Sequence, residues 1–355
     1  MSIRRHIFRL VGISLLLVLL VAVGVLGWLY VTAPPPREVP GWSLGPSKPA
    51  PRGELATAVA YAEPCPQPPC LEAERLYVLG GFSGLGTVQD RVSVYAPGSR
   101  TWSPAPFLPA PRHHLAAVGM GRDVYVTGGA ERLRTPWAPE QNLWRLRVGA
   151  DERWQVLEPM PEPRWGHRMV AHEGRLFVVG GHGPTSRVLI YSPGKGWSTG
   201  AEMPVPRHHL SVVVVDDHLW AMGGRTDRSL SRVDRYDPAS DVWLPGPDLP
   251  APTSGAAEGV VAGVILVLGG EEDDLFTGQV YDEHWAFDTR DDHARWEPAP
   301  KPPLAVHGAD GAVFQGTLYL VGGAGRHGAL SVTAWTDAVQ ILDAYLFPGR
   351  RSPED

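Results

Sequence analysis

The chain has 355 residues, 43% apolar and 20% charged, which is the composition of a globular protein. Its 41 Gly and 36 Pro make 77 of 355 residues, about twice the usual share, so many short elements are punctuated by turns and an all-helical domain is excluded. The formal net charge is -6, and without Arg4, Arg5 and Arg9 the remainder stands at -9 with no Lys/Arg run. A groove that tracks phosphates is therefore excluded, and no nucleic-acid partner is expected.

In chain order, the three arginines precede a run from Leu10 to Val31 that holds no charge, and the next cation is Arg37. About 20 apolar residues suffice to cross a bilayer as a helix, and basic flanks stay in the cytoplasm. The segment thus reads as a cytoplasmic flank over 1–9, a transmembrane signal-anchor helix over 10–32 and a linker over 33–40. This predicts a single-pass membrane protein whose remainder is extracytoplasmic, periplasmic or extracellular. A cleaved signal peptide is the competing reading, although the apolar core of such peptides is usually shorter, about 7–15 residues. In an oxidising compartment the only two cysteines, Cys65 and Cys70 in PCPQPPC, would form one small loop disulfide. No CxxC pattern is present.

Six times, a β-type run ends in two glycines: LYVLGG to Gly81, VYVTGG to Gly129, LFVVGG to Gly181, LWAMGG to Gly224, ILVLGG to Gly270 and LYLVGG to Gly323. Apolar runs of this length bounded by glycine predict buried strands, and paired glycines allow a backbone approach that a side chain would block. A second marker recurs out of phase: Trp102, Trp154, Trp197, Trp243 and Trp296 each follow a strand-like run such as RVSVYAP. Arg112, Arg164 and Arg207 each stand ten residues beyond a tryptophan, across a Pro-rich crossing. Each unit therefore predicts four strands, in the order Arg/His, Gly-Gly, Tyr, Trp.

This arrangement resembles the kelch repeat, whose units of about 50 residues form blades of a β-propeller. The resemblance covers nearly all of 41–345, with 346–355 as a tail, and implies an all-β, six-bladed kelch-type propeller behind the N-terminal transmembrane helix. Thr253 and Val306 depart from the arginine position, and Phe287 from the tyrosine position. The sixth unit lacks its own Trp strand, while GWSLGPSKPAPR at the start matches GWSTGAEMPVPR at 196–207 in its Trp-to-Arg spacing. The N-terminal strand at Trp42 is expected to close the last blade and so remove exposed sheet edges.

If first strands line a central channel, their leading residues gather at one mouth. The candidates for ligand binding are His114, Trp165, His167, His209 and His307, joined from the loops after the glycine pairs by His182, Arg225, Glu271 and Arg326. Histidines from separate strands could converge on a metal ion, but capping of strand ends by repeat positions explains them as well. No metal, cofactor or catalytic role is assigned. Family resemblance implies a membrane-anchored module binding a protein, peptide or glycan at the mouth. The alternative is a sugar-processing enzyme of the mutarotase or epimerase type; kelch copper-radical oxidases need a Tyr–Cys cross-link, and both cysteines here share one loop far from the mouth.

Overall fold

The computed structural model describes residues 14–24, 36–63, 73–133, 138–149, 153–272, 278–314, 316–328, 331 and 334–342. It divides into two compact units, residues 1–35 and 36–355.

In the first unit, residues 14–24 are helical. Eleven residues at 1.5 Å rise cover about 16 Å, half of a hydrocarbon core of roughly 30 Å. Among the described residues no helix is long and apolar enough to cross a membrane. The expected transmembrane helix over 10–32, and with it the single-pass membrane placement and the extracytoplasmic location, is therefore corrected. Cys65 and Cys70 lie outside the described residues.

Among the described residues, the second unit holds six four-stranded antiparallel sheets and two short two-stranded ones. Blade 1 comprises Ala56–Tyr61, Glu74–Leu79, Val92–Ala96 and Thr101–Ala105. Blades 2 to 5 follow over residues 116–156, 168–202, 211–245 and 257–298. Blade 6 takes Asp310–Phe314, Thr317–Val321 and Val339–Leu342 from the end of the chain and Trp42–Leu44 from its beginning. Trp42 pairs with Leu342 and Leu44 with Gln340, so the ring is closed by hydrogen bonds between the two ends of the propeller.

Burial falls outward along each blade, and the residue types follow it. The second strand of blade 5, VILVL at Val264–Leu268, is buried at every position, as a strand covered on both faces must be. The fourth strand of blade 1, TWSPA at Thr101–Ala105, is largely solvated. The apolar core is accordingly six clusters, each between consecutive blades, as in Leu79, Val124 and Trp144 between blades 1 and 2.

The recurring residues are the couplings between blades. The indole N–H of Trp42, Trp102, Trp154, Trp197, Trp243 and Trp296 each donates to a backbone carbonyl in the fourth strand of the preceding blade or the crossing that follows it, at 2.8–3.4 Å. The second glycine of each pair donates its N–H to the residue at the arginine position of the next blade, as Gly81 does to Arg112 and Gly323 to Arg52. The first glycine has φ between 54° and 68°, and a Cβ on Gly80 would sit 2.5 Å from the Arg112 carbonyl oxygen. Both facts demand glycine. The arginine then caps its own blade's glycine pair: Arg52 donates to Gly80, Arg164 to Gly180 and Arg207 to Gly223. In blade 5 the departure is chemically conservative, because the Thr253 hydroxyl donates to the Gly269 carbonyl at 2.9 Å. Phe287 likewise keeps the ring contact its unit needs, 5.2 Å from Trp296.

Candidate functional site at the channel mouth

Three tiers of residues build the mouth, and each is set by its offset from the arginine position. One residue on, Gly53, His113, Trp165, His208, Ser254 and His307 each form a single β-bridge with the residue after a glycine pair: Phe82, Ala130, His182, Arg225, Glu271 and Ala324. Two residues on come Glu54, His114, Gly166, His209, Gly255 and Gly308. All six adopt left-handed φ, between 50° and 63°. Their backbones form a closed ring, each N–H donating to the carbonyl of the preceding blade at 2.7–3.1 Å.

Left-handed backbone suits the three glycines. For Glu54, His114 and His209 it costs roughly 1–2 kcal/mol each. Strain of this kind is held where the surroundings over-determine it, and here it aims three polar side chains at the axis. Ligand atoms of Glu54, His114 and His209 lie within 4.8 Å of one another. His114 Nε2 is 3.2 Å from Glu54 Oε2. His307 Nδ1 is 3.2 Å from Glu271 Oε2 and 3.7 Å from Glu54 Oε1.

Hydrogen bonds fix the tautomers. The Arg132 carbonyl can only accept, so His113 donates to it from Nε2 and must accept at Nδ1 from the Nδ1–H of His114, 2.6 Å away. That leaves His114 Nε2 unprotonated. The Arg225 guanidinium can only donate, and its Nη2 lies 3.3 Å from His209 Nε2. His209 therefore accepts at Nε2 and donates from Nδ1 to His208 Nδ1. Burial and neighbouring charges hold His114 and His209 well below the ordinary histidine range, and push His113 down to about 4 and His208 to about 3. These rings are neutral at pH 7. Burial raises Glu54, while Glu271, against its own burial, is held below the ordinary range by His307 and Arg225.

The expected mouth residues separate into distinct places. His114, His209, Glu271 and His307 are buried around the axis. Trp165 is half-buried, stacked on exposed His182 with ring centroids 5.0 Å apart and tilted against His208 at 5.1 Å. His182, His208 and Arg225 also line a groove of about 530 Å³ between blades 3 and 4. Arg225 bonds Glu271 Oε1 at 2.9 Å. Arg326 takes part through its backbone carbonyl, which accepts from His307 Nε2. His167 sits deeper, buried between blades 2 and 3 with Nε2 2.9 Å from the Thr127 hydroxyl.

Sequence reasoning missed Glu54, although its offset from Arg52 is that of His114 from Arg112. It also missed a charged partition across the channel. Arg168 reaches from blade 3 to Glu258 of blade 5 at 2.9 Å and Asp310 of blade 6 at 2.8 Å. Asp310 accepts in addition from the Thr57 N–H and hydroxyl of blade 1. One guanidinium faces two buried carboxylates, and burial raises Glu258 to about 8. This bridge separates a vestibule of about 300 Å³ at the far end from a cavity of about 40 Å³ beneath the mouth, lined by Glu54, His114, His167, Arg168 and His209.

The architecture is that of a kelch propeller, and the comparisons agree. The Kelch motif model matches residues 206–250. The chain is 25% identical to mouse Kelch-like protein 35 over 282 residues, 66% of this chain and 48% of that protein. It is also 25% identical to Kelch-like protein terF of Aspergillus terreus over 274 residues, covering 71% and 59%. With beta-scruin of Limulus polyphemus it shares 27% over 220 residues, covering 55% and 24%. Among solved structures, that of YjhT superposes with a TM-score of 0.66 at 15% identity, covering 83% of this chain and 96% of the other, a likeness of fold alone. The chain carries kelch repeats and is similar to kelch-repeat proteins. It spans about half the length of the first curated relatives it matches.

Proposed function

We propose that the chain is a protein-binding module that docks a partner segment on the mouth, in the groove between blades 3 and 4, with Trp165, His182 and His208 as its anchor. The observation that carries this reading is the aromatic stack beside the groove. Trp165 is held by His182 and His208 and by the backbone bridge to His182, so it presents a large ring with little entropy left to lose. Immobilised aromatics beside a concave site are typical hot spots. Kinship with kelch-repeat proteins supports a protein partner in general. One face of Trp165 is already covered by His182, which favours a peptide edge over a sugar ring as occupant. Catalysis is the weaker reading, because Glu271 and Arg225, the acid/base candidates, neutralise each other at 2.9 Å.

Panning a displayed random-peptide library on the full chain tests this. Selected peptides should lose on the order of thirtyfold in affinity with Trp165→Ala, the effect of a hot spot near 2 kcal/mol, and less with His182→Ala. A substitution in the far vestibule, such as Val118→Ala, should leave them bound. Peptides indifferent to Trp165 but sensitive to Val118 would place docking at the wrong end of the channel.

A further inference from the structure

We infer that the axis of the mouth holds a zinc-class divalent ion, ligated by Glu54, His114 Nε2 and His209 Nε2, with its remaining position open to the small cavity beneath. Four independent features of the site converge on this.

The first is the opposition of lone pairs. The carbonyl of Arg132 dictates, through His113, that His114 presents an unprotonated Nε2, and that atom faces a carboxylate oxygen at 3.2 Å. Two acceptors at that distance require a proton or a metal ion between them, and a metal ion is the occupant inferred here. In a tetrahedral zinc shell with metal–ligand distances of about 2.0–2.1 Å, neighbouring ligand atoms lie about 3.3 Å apart, which this pair already satisfies.

The second is the support behind the ligands. Zinc-binding histidines characteristically donate their other N–H to an acceptor that fixes tautomer and ring orientation. Here His114 and His209 do so in the same way, each from Nδ1 to the Nδ1 of the preceding histidine. The duplicated PRHHL at 111–115 and 206–210 encodes a ligand and its support as one dipeptide.

The third is the backbone. Six equivalent positions share a left-handed conformation, three are glycine, and the three that are not are the three ligands. A repeat that needed only a turn there would use glycine throughout. The fourth is space: the cavity of about 40 Å³ below Glu54, His114 and His209 matches one water, about 30 Å³ in the liquid, and so can take an exchangeable fourth ligand.

The charge around the site also fits. Arg225 and Glu271 compensate each other at 2.9 Å, and Arg168 is shared by Glu258 and Asp310. Glu54 faces the imidazoles of His114 at 3.2 Å and His307 at 3.7 Å. The Arg225 Nη2 contact to His209 Nε2, at 3.3 Å, gives way to the ion while Nη1 keeps Glu271. Two imidazoles and one carboxylate suit zinc and disfavour calcium or magnesium, which take oxygen shells.

The test is equilibrium dialysis of the tag-free, chelator-stripped full chain against Zn2+, read by elemental analysis, with Co2+ substitution read by visible absorption. One zinc per chain is expected, and cobalt should show the bands of a four- or five-coordinate ion. Glu54→Gln, which keeps the side-chain shape, should weaken zinc at least tenfold, a floor for loss of a direct ligand. His114→Gly and His209→Gly, copying the residue at Gly166, should do the same. His293→Ala, at an exposed turn of blade 5 away from the mouth, should bind zinc as the parent does. If either glycine variant does not fold, Glu54→Gln decides alone. Failure of the parent chain to retain zinc, with a proton the only occupant, overturns the inference. So does zinc binding that survives Glu54→Gln and is lost in His293→Ala.

Discussion

Acidification of the metal-free chain from pH 7 to 5 is expected to unfold the propeller in a cooperative transition that takes up several protons. Six histidines, five buried and His208 half-buried, cause it. His114 and His209 lie well below their ordinary range, His113 is pushed to about 4, and His167, His208 and His284 to about 3, in each case chiefly by burial. In the unfolded chain each titrates near 6.5. Their folded values are depressed, so their contribution is complete above pH 6.5 and is lost as pH falls toward the folded values. Each group costs up to about 1.4 kcal/mol per pH unit in that window. Six of them approach the total stability of an ordinary domain, about 5–15 kcal/mol, by pH 5. Glu258, raised to about 8, works in the opposite direction. The fold holds a proton there that the unfolded chain releases above about pH 4.3, so this part of the stability increases as pH falls. Urea unfolding at half-unit steps of pH should show a stability slope of about four to five protons near pH 5.5. A slope below one proton would mean that the histidines ionise inside the fold.

The second large effect is at the partition. Arg168→Ala should destabilise the propeller by about 3–5 kcal/mol, the usual result of removing one partner from a buried ion group. Glu258 and Asp310 would remain buried, with side chains 10% and 8% exposed and no counter-ion across the channel. The loss should grow from pH 6 to 8, because protonation of Glu258 relieves the variant at the acid end. Arg168→Met combined with Glu258→Gln and Asp310→Asn should recover most of it, since neutral groups of similar size leave no stranded charge. Chemical denaturation of the three chains measures both claims. An Arg168→Ala chain as stable as the parent at pH 8 would show that the channel is wet enough to solvate both carboxylates.

Much of this fold can be read before any coordinates, because its parts repeat. Glycine pairs and tryptophans recur because each makes one inter-blade contact six times, arginines because they cap a glycine pair of their own blade, and the substitutes reveal the purpose: Thr253 still caps a glycine carbonyl and Phe287 still packs on Trp296. Trp42 belongs to the same series, as its indole bond to Pro300 shows. The N-terminal run is different. Its composition describes a membrane span, whereas the described helix covers residues 14–24.

The site was only half legible, for a geometric reason. Residue type drew attention to histidines and tryptophans, but their roles depend on which tier of the ring they occupy. His167 is three residues beyond Arg164 and turns between blades toward Thr127. His114 and His209 are two beyond their arginines and turn to the axis. Glu54 shares that offset, yet a glutamate before a strand looks like an ordinary surface residue until the left-handed ring is aligned. Arg168, Glu258 and Asp310 come from three blades and share no motif, so only closure of the ring brings them together.

The central claim is that the axis holds neutral histidines with Nε2 directed inward and unprotonated. Long-range proton–nitrogen correlation spectra of the metal-free, nitrogen-15-labelled full chain read this directly. His114 and His209 should show a protonated Nδ1 and a bare Nε2 at pH 7, unchanged down to the onset of acid unfolding. Rings carrying their proton on Nε2, or titrating near 6.5 within the folded protein, would contradict the account.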